Sequence, residues 1–585
     1  MRHPVIFGCM VAAFTIATAQ IGAFADDKDK DKDNAPATKT PIKHVVVIFQ
    51  ENASFDHYFG TYPEALNPAG EAKFIAAKGT PKANNLLHPK DLEDQNPNSL
   101  LSLPIRLGPE NAFTCSEDHG YSDEQSAADG GAMDMFQDTS HTGTGCQSAT
   151  QGPFAIPNPT DKGFPGTFLA APTVMAYFDG NTVTALWNYA QNFAMSDNSF
   201  DSVYGPSTNG AINLVAGQTH GAIVETASIS HSNATPVLVT TPGAVFVDNP
   251  VTGEGTLFGD IDPFFDDCSP GSTAKFLGKN IGDLLNEKNV TWGWFAGGFA
   301  PTVTAAENGG IAVCGASHAG HPGVAQPDAE FDGPNPSLHN PVTDYVQHHM
   351  PFQYYASTSN PHHLPFSKVD KIGKTDQANH QYDLNDLFTA IDAGVLPAVS
   401  FVKMAAYQDG HPGNSDPLSE QNGIVTLVNA LMQSKDWKDM AIIISWDDSD
   451  GWYDHQFAPT VNPSSTQFDF LNGNSQCGKT APAVTAFQAR CGFGPRLPYL
   501  VISPWAKTNF IDHTQTDQSS TIGFIEDNWH LGLIDGPKNP PAGQASFDRT
   551  AGSIENMFDF SQSPSKPVIL DPNDGTVVKD KKDKN

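Results

Sequence analysis

Positive charge is scarce in this sequence. Its 32 Lys and Arg face 65 Asp and Glu, a formal net charge of −33 over 585 residues. A field of that sign favours solubility and repels polyanions, which argues against nucleic acid and against anionic membrane surfaces as partners. It also repels an anionic substrate, unless a bound cation or an acidic working pH offsets it. Beyond residue 25 no stretch reaches about eighteen continuous apolar residues, so no integral membrane segment is expected in the mature chain. CxxC spacing is missing as well, which leaves a thiolate zinc site without support.

What is present begins with an export signal. Arg2 and His3 precede an apolar run over 5–21, and Ala23-Phe24-Ala25 forms a small-x-small cleavage site. Residues 1–25 therefore read as a signal peptide, and the mature protein as secreted or periplasmic. Six cysteines follow the signal, an even number that suggests disulfides in an exported chain. Proximity favours Cys115–Cys146, Cys268–Cys314 and Cys477–Cys491. The charged stretches 26–40 and 576–585 hold too few apolar residues to fold and read as disordered. One large domain, 41–575, is left between them.

Four short apolar runs read as buried strands: 44–49 (HVVVIF), 398–402 (AVSFV), 441–446 (AIIISW) and 497–503 (LPYLVIS). Amphipathic patterns over 424–433 and 521–529 read as helices. Continuous apolar strands alternating with helices imply an α/β fold with a parallel sheet covered on both faces. The stretch from 60 to 165, rich in Gly, Pro, Asn and Asp, reads as an irregular excursion.

Acids stand at two of the strand ends. Glu51 and Asn52 follow the first run, Asp447 and Asp448 the third. Ligands of open α/β sheets bind outside the carboxyl ends of the strands, which places both pairs on one rim. Carboxylates gathered there repel one another. A divalent cation removes the conflict, and carboxylate and amide oxygens suit hard or borderline metals. An ordinary acidic turn would also account for Asp447-Asp448-Ser449-Asp450-Gly451 by itself; the ligand spacing and the absent closing Glu exclude an EF-hand.

Ser207 lies in Gly205-Pro206-Ser207-Thr208-Asn209-Gly210, ahead of an apolar, helix-like stretch over 211–216. A serine at a helix start sits where free N–H groups favour an anion such as a phosphoryl group, and where a metal contact would activate the hydroxyl. A plain helix-cap serine would have the same setting. The segment is not the G-x-S-x-G elbow of α/β-hydrolases, because Gly210 falls one residue late. His119, His348, His349, His362, His363 and His411 lie in polar surroundings, where imidazoles bind phosphoryl oxygens or protonate a leaving group. The residues alone do not rank them.

Residues 51–60, ENASFDHYFG, resemble the E-N-x-S-F-D-H-Y-F-G signature of bacterial phospholipase C and its acid phosphatase relatives. The resemblance continues through 115–125, 205–217, 349–363, 407–416 and 446–455. It implies an alkaline-phosphatase-like α/β/α sandwich with a mostly parallel central sheet and long irregular excursions. It implies further that Glu51, Asn52, Ser207, Asp447 and Asp448 hold one divalent metal ion, of open identity, and that Ser207 is also the nucleophile. His119, His349 and His411 would line the phosphate pocket, with His363 the competitor of His349. Asp454 and His455 share the last motif without being expected to ligate. Phospholipase C members usually carry a G-P-T-x-P-N-like nucleophile segment and Asp-Glu in the last motif. Gly-Pro-Ser-Thr and Asp-Asp look instead like the acid phosphatase branch, although Asn209 stands where that branch commonly has Pro.

The function so implied is a secreted acid phosphatase that hydrolyses small phosphomonoesters through a phosphoserine. Two alternatives stand beside it: a phospholipase C acting on phosphatidylcholine-type lipids, and a non-catalytic metal- or phosphate-binding protein. A sulfatase-like relative is disfavoured, because Ser207 lacks the C/S-x-P-x-R surroundings. Oligomeric state is not legible.

Overall fold

Seven consecutive residues, HVVVIFQ, form strand β1 (His44–Gln50), and all but the first are buried. In the computed structural model, which describes residues 36–87, 97–98, 104–114, 116–140, 173–225, 244–319 and 341–579, β1 lies inside an eight-stranded sheet. The other strands are β2 (Ala194–Ser196), β3 (Trp292–Ala296), β4 (Gln381–Asp383), β5 (Val399–Lys403), β6 (Met440–Trp446), β7 (Tyr499–Ile502) and β8 (Phe510–Asp512). Their order is β4-β3-β5-β1-β6-β7-β2-β8. From β4 to β6 every pairing is parallel. Only β7 runs against its neighbours, and β2 and β8 are parallel to each other. Strands buried on both faces explain why the apolar runs are continuous rather than alternating.

The expected strands are thus present, with one difference in direction: the 497–503 run forms the single antiparallel strand. Four strands of this sheet went unread. β2, β4 and β8 have only three residues each, too short for a pattern. β3, Trp-Gly-Trp-Phe-Ala, is masked by its glycine and two tryptophans, although all five residues are buried.

Five helices matter for the site: α1 (Phe55–Phe59), α2 (Tyr121–Ala128), α3 (Ser207–Ala216), α4 (Pro417–Gln433) and α5 (Ser519–Trp529). α4 starts earlier than its apolar pattern because Asp416 caps it, accepting from Leu418 and Ser419 N–H, with Pro417 at the first helical position. α3 is buried along its whole length and packs on α5. Between β2 and β3 the chain builds a separate five-stranded sheet, with strands from His220–Glu225 to Thr273–Phe276.

Folded structure reaches past both expected domain limits. Lys39 N–H donates to Asn528 C=O at 2.8 Å, and Thr40 N–H and hydroxyl both donate to the Asn528 amide oxygen. At the other end Val578 N–H donates to Ile569 C=O at 2.9 Å. Backbone pairing orders these residues despite their charged, polar composition. Two of the three proximal cystine pairings are formed: Cys268–Cys314 and Cys477–Cys491, with Cα–Cα separations of 5.8 and 5.9 Å. Cys115–Cys146 and the signal segment 1–25 lie outside the described residues. Among the described residues no helix is long and apolar enough to cross a membrane.

Candidate active site

Strand register brings the acids together. Gln50 pairs with Trp446, so β1 and β6 end level and Glu51 and Asp447 leave the sheet side by side. On the other flank of β1, Ile48 pairs with Val402, which puts Lys403, the last residue of β5, beside the end of β1. Asn52 takes a positive φ of 41° and its N–H donates to Asp447 Oδ1 at 3.2 Å. The Asp448 N–H donates to the same oxygen at 2.9 Å.

Ser207 is the first residue of α3, with Pro206 as cap, and is buried. Its Oγ donates to Asp448 Oδ2 at 2.9 Å and lies 3.4 Å from Glu51 Oε2. Gly210 makes this approach feasible: a Cβ there would stand 2.0 Å from the Asp447 carbonyl oxygen. The glycine that falls one residue late for a hydrolase elbow is therefore the contact point between α3 and the end of β6. The helix start is less open than expected, because the N–H and hydroxyl of Thr208 both donate to Asp260 Oδ1, at 3.1 and 2.8 Å. Glu124 of α2 ties the two turns together, accepting from Ser449 Oγ at 2.6 Å and from Gly205 N–H at 2.9 Å.

Three oxygens thus meet at one centre, Glu51 Oε2, Ser207 Oγ and Asp448 Oδ2, and Asn52 follows Glu51 in the chain. Asn52 Nδ2 donates to Asp450 Oδ1 at 3.2 Å, while its buried Oδ1 has no hydrogen-bond partner. Unpartnered buried amide oxygen is costly. Together with the two carboxylates and the hydroxyl it would make an all-oxygen donor set, the kind that suits a hard or borderline divalent cation. Asp447 belongs to the cluster, but it already accepts two backbone N–H groups at Oδ1 and Lys403 Nζ, 3.0 Å away, at Oδ2.

Three histidines reach this centre. His349 Nδ1 is 2.8 Å from Glu51 Oε1, and its buried Nε2 has no partner. Burial holds His349 neutral, its pKa lowered to about 3 despite Glu51. His119 Nδ1 donates to the Glu117 carbonyl at 2.8 Å, and its Nε2 stands 3.4 Å from Asn52 Nδ2. Burial opposes its charge, but Asp448 and Asp450 outweigh that and push its pKa up to about 10. His411 lies against His119, ring centroids 6.3 Å apart, and burial lowers its pKa below the ordinary value. His363, the competitor of His349, is elsewhere: it bonds Asp266 at 2.9 Å beside the Cys268–Cys314 cystine. His362 pairs with Asp267, and His348 stands 3.8 Å from Asp262.

Two contributors were not read from the sequence. Lys403 is buried between Glu51 and Asp447, and a lone lysine ending a strand carries no motif. Asp450 accepts from Asn52, from Ser116 Oγ at 2.9 Å and from Glu117 N–H at 3.0 Å, which draws the His119 loop onto the centre. Its place inside the Asp-Asp-Ser-Asp-Gly run was the available signal. Asp454 and His455 point into a different cluster, with Asp56 and Arg496.

A buried, carboxylate-rich centre on the carboxyl rim of a mostly parallel sheet, with a helix-start serine at its heart, is the class of site this α/β protein carries. The chain belongs to the phosphoesterase family, whose model matches residues 42–532. It is similar to a non-hemolytic phospholipase C of Burkholderia pseudomallei, 22% identical over 531 residues, or 89% of this chain and 59% of that protein. A non-hemolytic phospholipase C of Pseudomonas aeruginosa is 29% identical over 192 residues, 32% of this chain and 27% of its own. Phospholipase C B of Mycobacterium tuberculosis is 28% identical over 183 residues, 30% of this chain and 32% of its own. The chain thus spans from about a quarter to three fifths of the length of these relatives. Among solved structures, a protein in the alkaline phosphatase superfamily from Vibrio parahaemolyticus aligns at a TM-score of 0.24 and 11% identity, over 61% of this chain and 64% of that one.

Proposed function

We propose that the chain is an exported, metal-dependent phosphoesterase that hydrolyses small phosphomonoesters through a phosphoserine at Ser207. The observation that carries this is the Ser207 Oγ donor, 2.9 Å from Asp448 Oδ2 and 3.4 Å from Glu51 Oε2. Glu51, Asn52, Ser207 and Asp448, with Asp447 behind them, would hold one divalent cation, which when bound polarises the phosphoryl group and offsets charge on its oxygens.

The residues of the chain account for the proton traffic. Ser207 Oγ bonds to phosphorus while its proton passes to Asp448, whose Oδ2 already accepts from that hydroxyl at 2.9 Å. The ester P–O bond breaks on the opposite side, and the ionised His119 gives its proton to the departing oxygen. Water then attacks the phosphoserine and yields its proton to His119. The P–Oγ bond breaks, and Asp448 returns the proton to Ser207. His349, held neutral by burial, and His411 line the pocket around the phosphoryl oxygens.

A second reading is favoured by the relatives, which are phospholipases C: cleavage on the diglyceride side of a choline lipid by the same groups. A pH-resolved comparison of an aryl phosphate with phosphatidylcholine vesicles, coupled to elemental analysis, separates the readings. Turnover of the aryl phosphate alone, abolished by a chelator, is the expected result. Turnover of the lipid alone establishes the second reading, and tight phosphate binding without turnover of either would leave only a binding protein.

A further inference from the structure

The two oxygens of Glu51 serve opposite sides of the centre. Oε2 faces Ser207 Oγ at 3.4 Å, on the side of Asn52 and Asp448. Oε1 faces His349 Nδ1 at 2.8 Å and the Lys403 ammonium. On this second side Glu51, His349 and Asp409 offer ligand atoms that all lie within 4.8 Å of one another. Asp447 Oδ2, 3.0 Å from Lys403 Nζ, closes the same side. Carboxylates with an imidazole are the donor set of a borderline divalent ion. Yet the place among them is taken by a lysine from the chain itself.

We propose that the Lys403 ammonium stands in for a second cation, so that the centre binds one divalent ion, on the Ser207 side of Glu51. The assignment rests on reading that side as a cation site. Lys403 is fixed there by the fold rather than by a flexible loop: it ends β5, pairs with Ala296 of β3, and is buried, with its Nζ 5.2 Å from the Phe49 ring. An ammonium has three donors and no acceptor. Between two carboxylates it occupies the space an ion would need and repels a divalent charge. It also compensates Glu51 and Asp447 before any ion arrives, so the metal-free centre keeps its shape where uncompensated buried carboxylates would push apart.

Elemental analysis and calorimetric titration of the full chain with Mn2+ test this. The wild-type protein is expected to bind one ion. Lys403→Ala, which removes both charge and bulk, is expected to bind two. Lys403→Met, which keeps the bulk, is expected to bind one ion roughly tenfold more tightly. Its melting temperature should fall more in the metal-free than in the Mn2+-loaded state. Should the Ala variant fail to fold, the Met variant decides alone. Two ions in the wild-type protein overturn the proposal. So does a Met variant with unchanged Mn2+ affinity and equal loss of melting temperature in both states, the mark of a packing role only. A wild-type protein that binds no Mn2+ but turns over phosphate esters refutes the cation reading itself, a result distinct from either.

Discussion

The two signature segments, 51–60 and 446–455, build two acidic clusters a few residues apart, and the clusters are opposites. In the first, Glu51, Asn52, Ser207 and Asp448 leave a buried amide oxygen unpartnered and crowd carboxylates together. In the second, Asp56 and Asp454 are both answered by the buried Arg496, whose Nη2 lies 3.1 Å from Asp56 Oδ1 and 3.0 Å from Asp454 Oδ2. Arg496 donates further to the carbonyls of Asn84 and Asp197 and stacks over Phe55 at 4.2 Å. His455 Nδ1 adds a contact of 2.6 Å to Asp56. A complete set of partners marks a brace that locks α1 to the segment following β6. An incomplete one marks a place built to receive something.

Four substitutions separate the clusters. The largest effect is expected from Ser207→Ala: turnover falls by about 10³-fold or more, while the circular dichroism spectrum and melting temperature stay put. Arg496→Ala should do the reverse. It strands two buried carboxylates and costs about 3–5 kcal/mol in chemical denaturation, with Mn2+ stoichiometry unchanged in whatever folds. An Arg496 variant of full stability that loses its ion would merge the two clusters into one and break the comparison.

His119→Gln is expected to slow turnover by about 10²-fold for alkyl phosphates and by less for aryl phosphates, whose leaving oxygen needs no proton. Equal losses on both would assign His119 to binding rather than to proton donation.

The smallest effect belongs to pH. Burial opposes the charge of His455, and Asp56 outweighs it, so its folded pKa lies above the ordinary 6.5. That stabilisation is fully present below 6.5 and is lost as pH rises through the folded value. His455→Gln should therefore be less stable than wild type at pH 5–6, with the gap closing in alkaline buffer, as read by urea midpoints. A gap independent of pH would mean that only packing or a neutral hydrogen bond had been lost.

Most of the 51–60 signature turns out to be scaffold. Ser54 caps α1 by accepting from His57 N–H at 3.2 Å. His57 stacks on Trp452 at 4.0 Å, and burial lowers its pKa to about 3. Only Glu51 and Asn52 reach the reacting centre. A specific motif is therefore good evidence of kinship and poor evidence of which of its residues do chemistry, since a rigid turn constrains sequence as tightly as a ligand does.

From the sequence alone one could read the parallel α/β layering, the strand-end positions of Glu51, Asn52, Asp447 and Asp448, and two local cystines. Each follows from short-range pattern: buried strands are continuously apolar, and a strand's last residue is found by where that pattern stops. The strands β2, β4 and β8 were illegible because three residues carry no period. The choice of His349 over His363 and the closeness of Ser207 to Asp448 were decided by tertiary structure. So were the insertion of Lys403 between Glu51 and Asp447 and the pairing of Asp454 with Arg496. All depend on contacts between residues tens to hundreds of positions apart, set by strand register and by the close approach that Gly210 permits. The sequence named the charges; the sheet determined which of them would be neutralised and which left open.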